Sequence, residues 1–447
     1  MLIKNKNDLA TSGLRRAALE IVEAGIERVL PTSIMQSAIS YDKLRRIIRV
    51  CGEEFPVSTG RIFVIGGGKA SCLMADSLGS IIGYDTITDG IVICKDKPLQ
   101  NPKIKMLQAG HPIPDQRGVE DVESILRLKD QYKIGEDDLV VCLISGGGSA
   151  LMPCPAEGIS LDDKKQLTAL LLACGAEIHE INAVRKHLSK IKGGRLGQYF
   201  APAKVISLIL SDVIGNDLST IASGPTVPDS STYADAYSVL EKYDLLARVP
   251  AAAVDILRTG RQGSLEETPK VLDNCSNYII GDSNLALQAM AQRATEMGYR
   301  PKIVTAELRG DTTASAFSTA SEIIKAGSSV YNVFILGGET TLRLPENPGI
   351  GGRNQHYVAA SMLAMEAYAH SWTMASVGTD GSDYLPDIAG AIIDNNSPGQ
   401  LSKNNVNVRR YLDRCDSNTL LKKLEDSLIA TGETGTNVGD VIIYLIE

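Results

Sequence analysis

The chain has 447 residues, 44% of them hydrophobic and 22% charged, with a net charge of −8. That length exceeds what one hydrophobic core organises, so two domains are expected, and the composition excludes a disordered chain. The acidic balance disfavours a nucleic-acid surface, and the longest apolar runs fall far short of the roughly 20 residues that a membrane helix needs.

In chain order, the opening MLIKNKNDLATSGLRR has no apolar core of the secretory kind, and a cytoplasmic location is expected. Leu14, Ala18, Val22, Ile26 and Val29 then follow at near-helical spacing, and Pro31 stops this first helix. Short apolar runs rich in β-branched residues predict strands at 61–65, 90–94, 138–144, 204–210, 277–280, 302–306, 332–336, 373–377, 389–393 and 440–446. Ser160 is placed to cap a helix through Cys174. Asp282 or Ser283 opens another that ends at Met297 before Gly298, and Asp311 or Thr312 opens one closed by Gly327. Strands alternating with helices on this scale predict an α/β fold. The expected form is two three-layer α/β domains with largely parallel sheets around an interdomain cleft. The segment 225–269 holds PTVPDSST and the polar RQGSLEET, so the boundary is placed near 240. This gives a Rossmann-like domain over 1–240 and a second α/β domain over 241–447. The eight cysteines are scattered without a CxxC, and several, such as Cys142 in LVVCLIS, read as small core residues in a reducing compartment.

The glycines cluster at the ends of the apolar runs, where ligands of parallel sheets collect. VIGGGKAS resembles two phosphate motifs and completes neither. Ala70 follows Gly68-Lys69 where a P-loop needs Ser or Thr, and Ser71 stands where a dinucleotide fingerprint needs its third glycine. Two readings remain. One is an anion cradle in which Gly66, Gly67 and Gly68 admit the backbone and Lys69 adds a charge; the other is a tight turn. ISGGGSA repeats the design with hydroxyls: Ser145, Gly146, Gly147, Gly148 and Ser149 read as a phosphate or carboxylate cradle in preference to a nucleophile, with a plain turn as the alternative. VRKHLSKIKGGRL brings Arg185 and other cations into an acidic chain. ILSDVIGND places Asp212, Asn216 and Asp217 after a buried strand, where carboxylates suit Mg²⁺ and also suit simple turn capping. In the second half, Glu339 follows a strand in GGETT, and Arg353 precedes an apolar helix in GGRNQ. GTDGSDYLPD supplies Asp380, Asp383 and Asp387. His111 reads as part of an extended proline loop, AGHPIPD.

In this order, GGGKA, GHPIPD, SGGGSAL, VRKHLSKIKGGRL, SDVIGNDLSTIASGPT, GGETT, GGRNQ and GTDGSDYLPDIAGAIID resemble the class II glycerate kinases, whose C-terminal half is the domain called MOFRL. The resemblance runs from about residue 12 to the C-terminus. It implies phosphorylation of D-glycerate by ATP with Mg²⁺, in two α/β domains around a cleft. Residue by residue, Lys69 matches the catalytic lysine, Arg353 the essential arginine, and Asp380 the acidic group that holds or deprotonates the acceptor hydroxyl. Substrate or phosphate contacts are expected from Gly66, Gly67, Gly68, Ser145, Gly146, Gly147, Gly148, Ser149, Arg185, Asn216, Glu339 and Asp387. Asp212, with Asp217, is expected on the metal side. The expected product is 2-phosphoglycerate, with 3-kinase regiochemistry as the alternative. The expected partners are ATP and D-glycerate, with no nucleic acid and no membrane, and a homodimer stays open. Two other classes compete: a hydroxypyruvate reductase, which the incomplete GxGxxG argues against, and a sensor that binds without turnover.

Overall fold

The computed structural model describes residues 2–57, 59–95 and 100–447. It divides into two compact units, one of Ile34–Ile280 and one of Met1–Ser33 with Gly281–Glu447. Among the described residues no helix is long and apolar enough to cross a membrane.

The unit of Ile34–Ile280 begins with a small antiparallel sheet, β1 (Ile39–Asp42), β2 (Ile47–Val50) and β3 (Glu53–Pro56). Its main sheet follows with β4 (Ile62–Gly67), β5 (Ile87–Cys94), β6 (Ile104–Gln108), β7 (Leu139–Ile144), β8 (Lys204–Leu210) and β9 (Cys275–Gly281), in the order β6-β5-β4-β7-β8-β9. The pairs β5–β6, β4–β5, β4–β7 and β7–β8 are parallel. Every residue of β4 and β7 is buried, as apolar runs covered on both faces require. From β4 the chain steps outward through β5 and β6, then returns to β7 on the other side. The gap between the carboxyl ends of β4 and β7 is therefore a topological switch point. Helices Leu161–Ala173, Ile178–His187, Tyr233–Lys242 and Ala251–Arg261 share a separate apolar cluster that includes Leu167, Val184, Leu240 and Leu257.

The other unit carries β10 (Pro301–Leu308), β11 (Val333–Gly338), β12 (Trp372–Gly378), β13 (Gly390–Asp394), β14 (Leu428–Ile429) and β15 (Asp440–Ile446), in the order β10-β11-β15-β12-β13-β14. Helices Thr312–Ala326 and Arg353–Ala364 cover one face through a core of Phe334, Leu336, Tyr357, Met374 and Tyr444. Helices Gly13–Arg28 and Ser283–Glu296 pack on the other. The expected α/β class, with large sheets between helices, is present. The pairing in this second sheet departs from a parallel pattern. β10–β11 is parallel, whereas β15 enters between β11 and β12 antiparallel to both, and β12–β13–β14 continue antiparallel. A short apolar run has the same composition in either direction, so the sequence carries no sign of this.

The expected cut at 240 falls inside helix Tyr233–Lys242, which is part of the apolar cluster of Ile34–Ile280, and β9 extends that unit to its end. The first 33 residues leave the N-terminal half altogether. Helix Gly13–Arg28 buries Ala18, Leu19, Val22 and Ile26, and Gly25 lets Met290 approach its backbone. Arg15, 1% exposed, donates from Nε to the Leu9 carbonyl at 2.8 Å and pairs with Asp394 and Asp426 at 3.4 and 3.6 Å. One apolar face and one buried cation thus tie the N-terminus to the second sheet. The cysteines also differ from expectation: Cys72, on helix Ser71–Ile82, and Cys94, at the end of β5, form a disulfide. Helix-on-strand packing brings their Cα atoms to 6.0 Å, a proximity that a separation of 22 residues does not announce.

Candidate active-site loops

At the switch point the two glycine loops interlock. Gly66 and Gly68 have φ of 143° and 156°, and a Cβ on either would strike the backbone of Leu143 or Ser145. The Lys69 amide donates to the Gly146 carbonyl at 2.9 Å, and the Ala70 amide donates to Ser145 Oγ at 2.9 Å. Ser145, 1% exposed and within 3.3 Å of Ser71 Oγ, is therefore engaged in joining the loops. Around the bare turn of Gly146 and Gly147 stand three side chains. The Asp212 carboxylate lies directly against Gly146, and a Cβ on Gly147 would sit 2.8 Å from His111 Nε2 and 3.3 Å from Lys69 Cγ. Lys69, Gly146, Gly147, Gly148 and Asp212 are thus brought together, and His111 joins them. Burial pushes the His111 pKa down to about 4, and the charges of Lys69 and Lys95 act the same way. The imidazole is neutral near pH 7 and can donate one hydrogen bond without adding charge.

Ser149 belongs to a neighbouring network. Its Oγ accepts from Lys192 Nζ at 3.0 Å and lies 3.0 Å from Ser223 Oγ, which donates to Asn182 Oδ1 at 3.1 Å. Lys192 is 3% exposed, and burial holds its pKa well below the ordinary value. Arg185 is lowered by burial too. Asn216 lies in a turn at φ 57°. Asp217 is engaged as a turn cap: its oxygens accept from the Ser219 amide at 2.9 Å, Ser219 Oγ at 3.0 Å and Thr220 Oγ1 at 2.6 Å. Burial opposes ionisation of Asp217, and these bonds outweigh it and lower the pKa. Among the described residues no group of three or more His, Cys, Asp or Glu side chains is arranged to hold a metal.

In the other unit the antiparallel β15 has a direct consequence. Its first residue, Asp440, pairs with Gly338 at the end of β11 and with Gly378 at the end of β12. Arg353, the first residue of its helix, donates from Nε to Asp440 Oδ2 at 2.6 Å and from Nη2 to Oδ1 at 3.0 Å, with Nη1 on Glu339. Burial alone would lower the Arg353 pKa. Asp440, Glu339 and Asp383 reverse this and raise it. Asn354 Nδ2 also donates to Asp440 Oδ1, at 2.9 Å. The acidic loop does not act as one cluster. Asp383 is buried and accepts the Asn354 and Gln355 amides at 3.0 and 2.8 Å, which caps the helix that carries Arg353. Burial raises its pKa despite those bonds. Asp387 is exposed, and Asp380 accepts the Ser382 amide at 3.0 Å.

Three contributors escaped the sequence reading: His111, Lys192 and Asp440. Asp440 carried a usable signal, an acid opening the apolar run DVIIYLI directly after Gly439. The role of His111 had no such signal, because its burial arises from the packing of Gly147 and Lys69.

Residues 17–258 match a family model described as a domain of unknown function, DUF4147, and residues 332–440 match the MOFRL family. A Glycerate 2-kinase of Pyrococcus horikoshii is 36% identical over 97% of each chain. A protein of Agrobacterium vitis, 39% identical over 87% of this chain and all of its own, carries a provisional hydroxypyruvate reductase name. The crystal structure of Glycerate kinase from Thermotoga maritima superimposes with a TM-score of 0.85 at 36% identity, over 97% of this chain and 99% of that one. With its interlocked glycine loops, its Asp440-bound arginine and this whole-length likeness, the chain belongs to the class II, MOFRL-domain glycerate kinase family.

Proposed function

We propose that the protein transfers the terminal phosphoryl group of ATP to D-glycerate, with Mg²⁺, and that the product is 2-phosphoglycerate. The observation that carries this reading is the switch point, where Lys69, His111 and Asp212 surround a glycine turn without side chains of its own. Phosphate oxygens can approach such a backbone closely, and Lys69 opposes the charge that spreads over the transferring group. His111, neutral above about pH 4, donates a hydrogen bond there. Asp212 is the carboxylate that fits Mg²⁺, a cation that takes most of its ligands from phosphates and water; when bound, it neutralises charge on the phosphate chain. Asp217 is already committed to its turn, which leaves the protein's share to Asp212. Arg353 is oriented by Asp440, and its Nη1 faces the half-exposed Glu339, a partner that an incoming anion can displace. Asp380 holds the acceptor hydroxyl and takes its proton as the phosphoryl group arrives.

The Agrobacterium name raises a reductase as the second reading. Ser71, fully buried in its helix, occupies the place where a dinucleotide fingerprint needs a glycine. A coupled ADP-release assay with D-glycerate, followed by NMR of the product, tests both. ADP formation with phosphate on C2 is expected, together with no NADH or NADPH oxidation by hydroxypyruvate. Hydride transfer without ADP release would overturn the proposal, and phosphate on C3 would overturn its regiochemistry.

A further inference from the structure

Beside Ser149 lies a cavity of about 420 Å³ formed wholly by the unit of Ile34–Ile280. Lys164, Lys165, Arg185 and Lys192 line it and no Asp or Glu does; Lys165 pairs with Asp162 at 3.1 Å. The Nζ of Lys164 is buried without a hydrogen-bond partner, and Lys192 Nζ reaches only the neutral Ser149 Oγ and the Ala222 carbonyl, at 3.0 and 3.2 Å. Among the described residues Lys164, Arg185 and Lys192 have no acidic partner. Burial pushes Lys164 down to about 8 and lowers both Arg185 and Lys192. Three desolvated cations that the protein does not neutralise call for an anion of several charges.

The same cavity also carries apolar surface. Ile113 and Leu172, the latter on the same helix as Lys164, line it and are 69% and 60% exposed, large apolar side chains left in water. Glycerate, small and polar throughout, has no surface to offer them. A ligand that satisfies both the cations and the apolar side chains has a polyanionic chain and an apolar body, and the cavity is within the usual size of small-molecule sites.

Resting on the kinase reading above, we propose that this cavity is the seat of the phosphoryl donor, a nucleoside triphosphate. Its phosphate chain lies along Lys164, Arg185, Lys192 and Ser149, and its base lies against Ile113 and Leu172. Ser149 continues directly from the turn that faces Lys69, so the terminal phosphate is carried toward that turn.

Calorimetric titration with Mg·ATP and with inorganic triphosphate, in the absence of glycerate, tests this without requiring turnover; Mg·ATP affinity of the wild type is the reference. Arg185→Ala and Lys164→Ala are expected to weaken both ligands at least about tenfold, as loss of a buried charge contact does. Ile113→Ser and Leu172→Ser, at exposed positions that leave the melting curve unchanged, are expected to weaken Mg·ATP by about fivefold and leave triphosphate as it was. In steady state the KM for ATP should rise in all four variants while the KM for glycerate stays constant. Undiminished ATP binding in the Ile113 and Leu172 variants would overturn the placement of the base. A rise in the glycerate KM alone would make the cavity an acceptor site and overturn the proposal while the kinase reading stands. Conversely, ATP binding that the variants abolish, in a protein that never phosphorylates glycerate, would sink the kinase reading and keep the donor site.

Discussion

Asp440 is the residue through which the second sheet acts on Arg353, and Asp440→Asn isolates that action. The carboxylate is 4% exposed and receives two guanidinium bonds, at 2.6 and 3.0 Å, plus one from Asn354 at 2.9 Å. An asparagine keeps the shape and one acceptor. It also turns an NH₂ group toward the guanidinium or toward Asn354, so at least one charge-assisted bond is lost. Breaking a fully buried pair costs about 3–5 kcal/mol. The Arg353 side chain is 33% exposed, and Glu339 remains on Nη1, so the effect is discounted to about 2 kcal/mol. For a unit of this size that corresponds to a melting temperature lower by about 4–8 °C. At 25 °C the variant is then still folded, and the activity reports on geometry. A guanidinium free to swing by an ångström should reduce kcat by about 10²-fold with a modest change in KM. The measurements are differential scanning calorimetry and steady-state kinetics on the same preparation, with Asp440→Glu as the conservative control. A variant that melts lower yet turns over at the wild-type rate would refute the reasoning: Asp440 would then be a structural partner of the sheet, and Arg353 would need no orientation.

Lys69→Ala and Arg353→Ala should each lower kcat by roughly 10² or more, and circular dichroism should show the fold intact; a wild-type rate for Lys69→Ala would make it an exposed turn lysine. Asp380→Asn should lose turnover and keep its apparent Mg·ATP affinity, whereas Asp212→Asn should shift the Mg²⁺ requirement upward; the reverse pattern would exchange their roles. Glu180, held by Lys242 and Tyr243, is depressed from the ordinary 4.5 to about 2. Because the folded value lies below the unfolded one, its contribution is complete above about pH 4.5 and fades as pH falls toward 2. Glu180→Gln should therefore lower the melting temperature at pH 6 and flatten its decline over that acid window, and parallel curves would contradict the assignment.

The chain announced local events well. Asp282 and Asp311 cap their helices through the Leu285 and Ala314 amides, at 2.9 and 3.0 Å, and Ser160 forms a capping box with Asp163, because each of these is decided within four residues. The glycine loops were equally legible, since a φ of 156° at Gly68 demands the residue that is there. Strand direction was not: an acid opening DVIIYLI marks Asp440, yet nothing in that run distinguishes a strand running up from one running down, so its pairing with Arg353 stayed hidden. The GTDGSD acids illustrate a different limit. Proximity in sequence grouped Asp380, Asp383 and Asp387, yet Asp383 turns inward to cap a helix that begins 30 residues earlier, at Arg353, and Asp387 faces solvent. Likewise, the cations Lys164, Arg185 and Lys192 come from three separate segments, and only the folded chain reveals that no acid accompanies them.

The docking of helix Gly13–Arg28 onto β12 and β15 sets a timetable for synthesis. This helix leaves the ribosome before the strands it covers. By the time residue 280 has emerged, the unit of Ile34–Ile280 has all its strands and can close its own sheet. The early helix must meanwhile keep Leu19, Val22 and Ile26 out of wrong company. Folding of the intervening unit replaces a long flexible tether with a fixed span, which lowers the entropy lost when the helix finally meets its sheet. A nascent chain arrested before β15 should therefore display an unpartnered apolar stripe on helix Gly13–Arg28, a natural handle for a chaperone during translation.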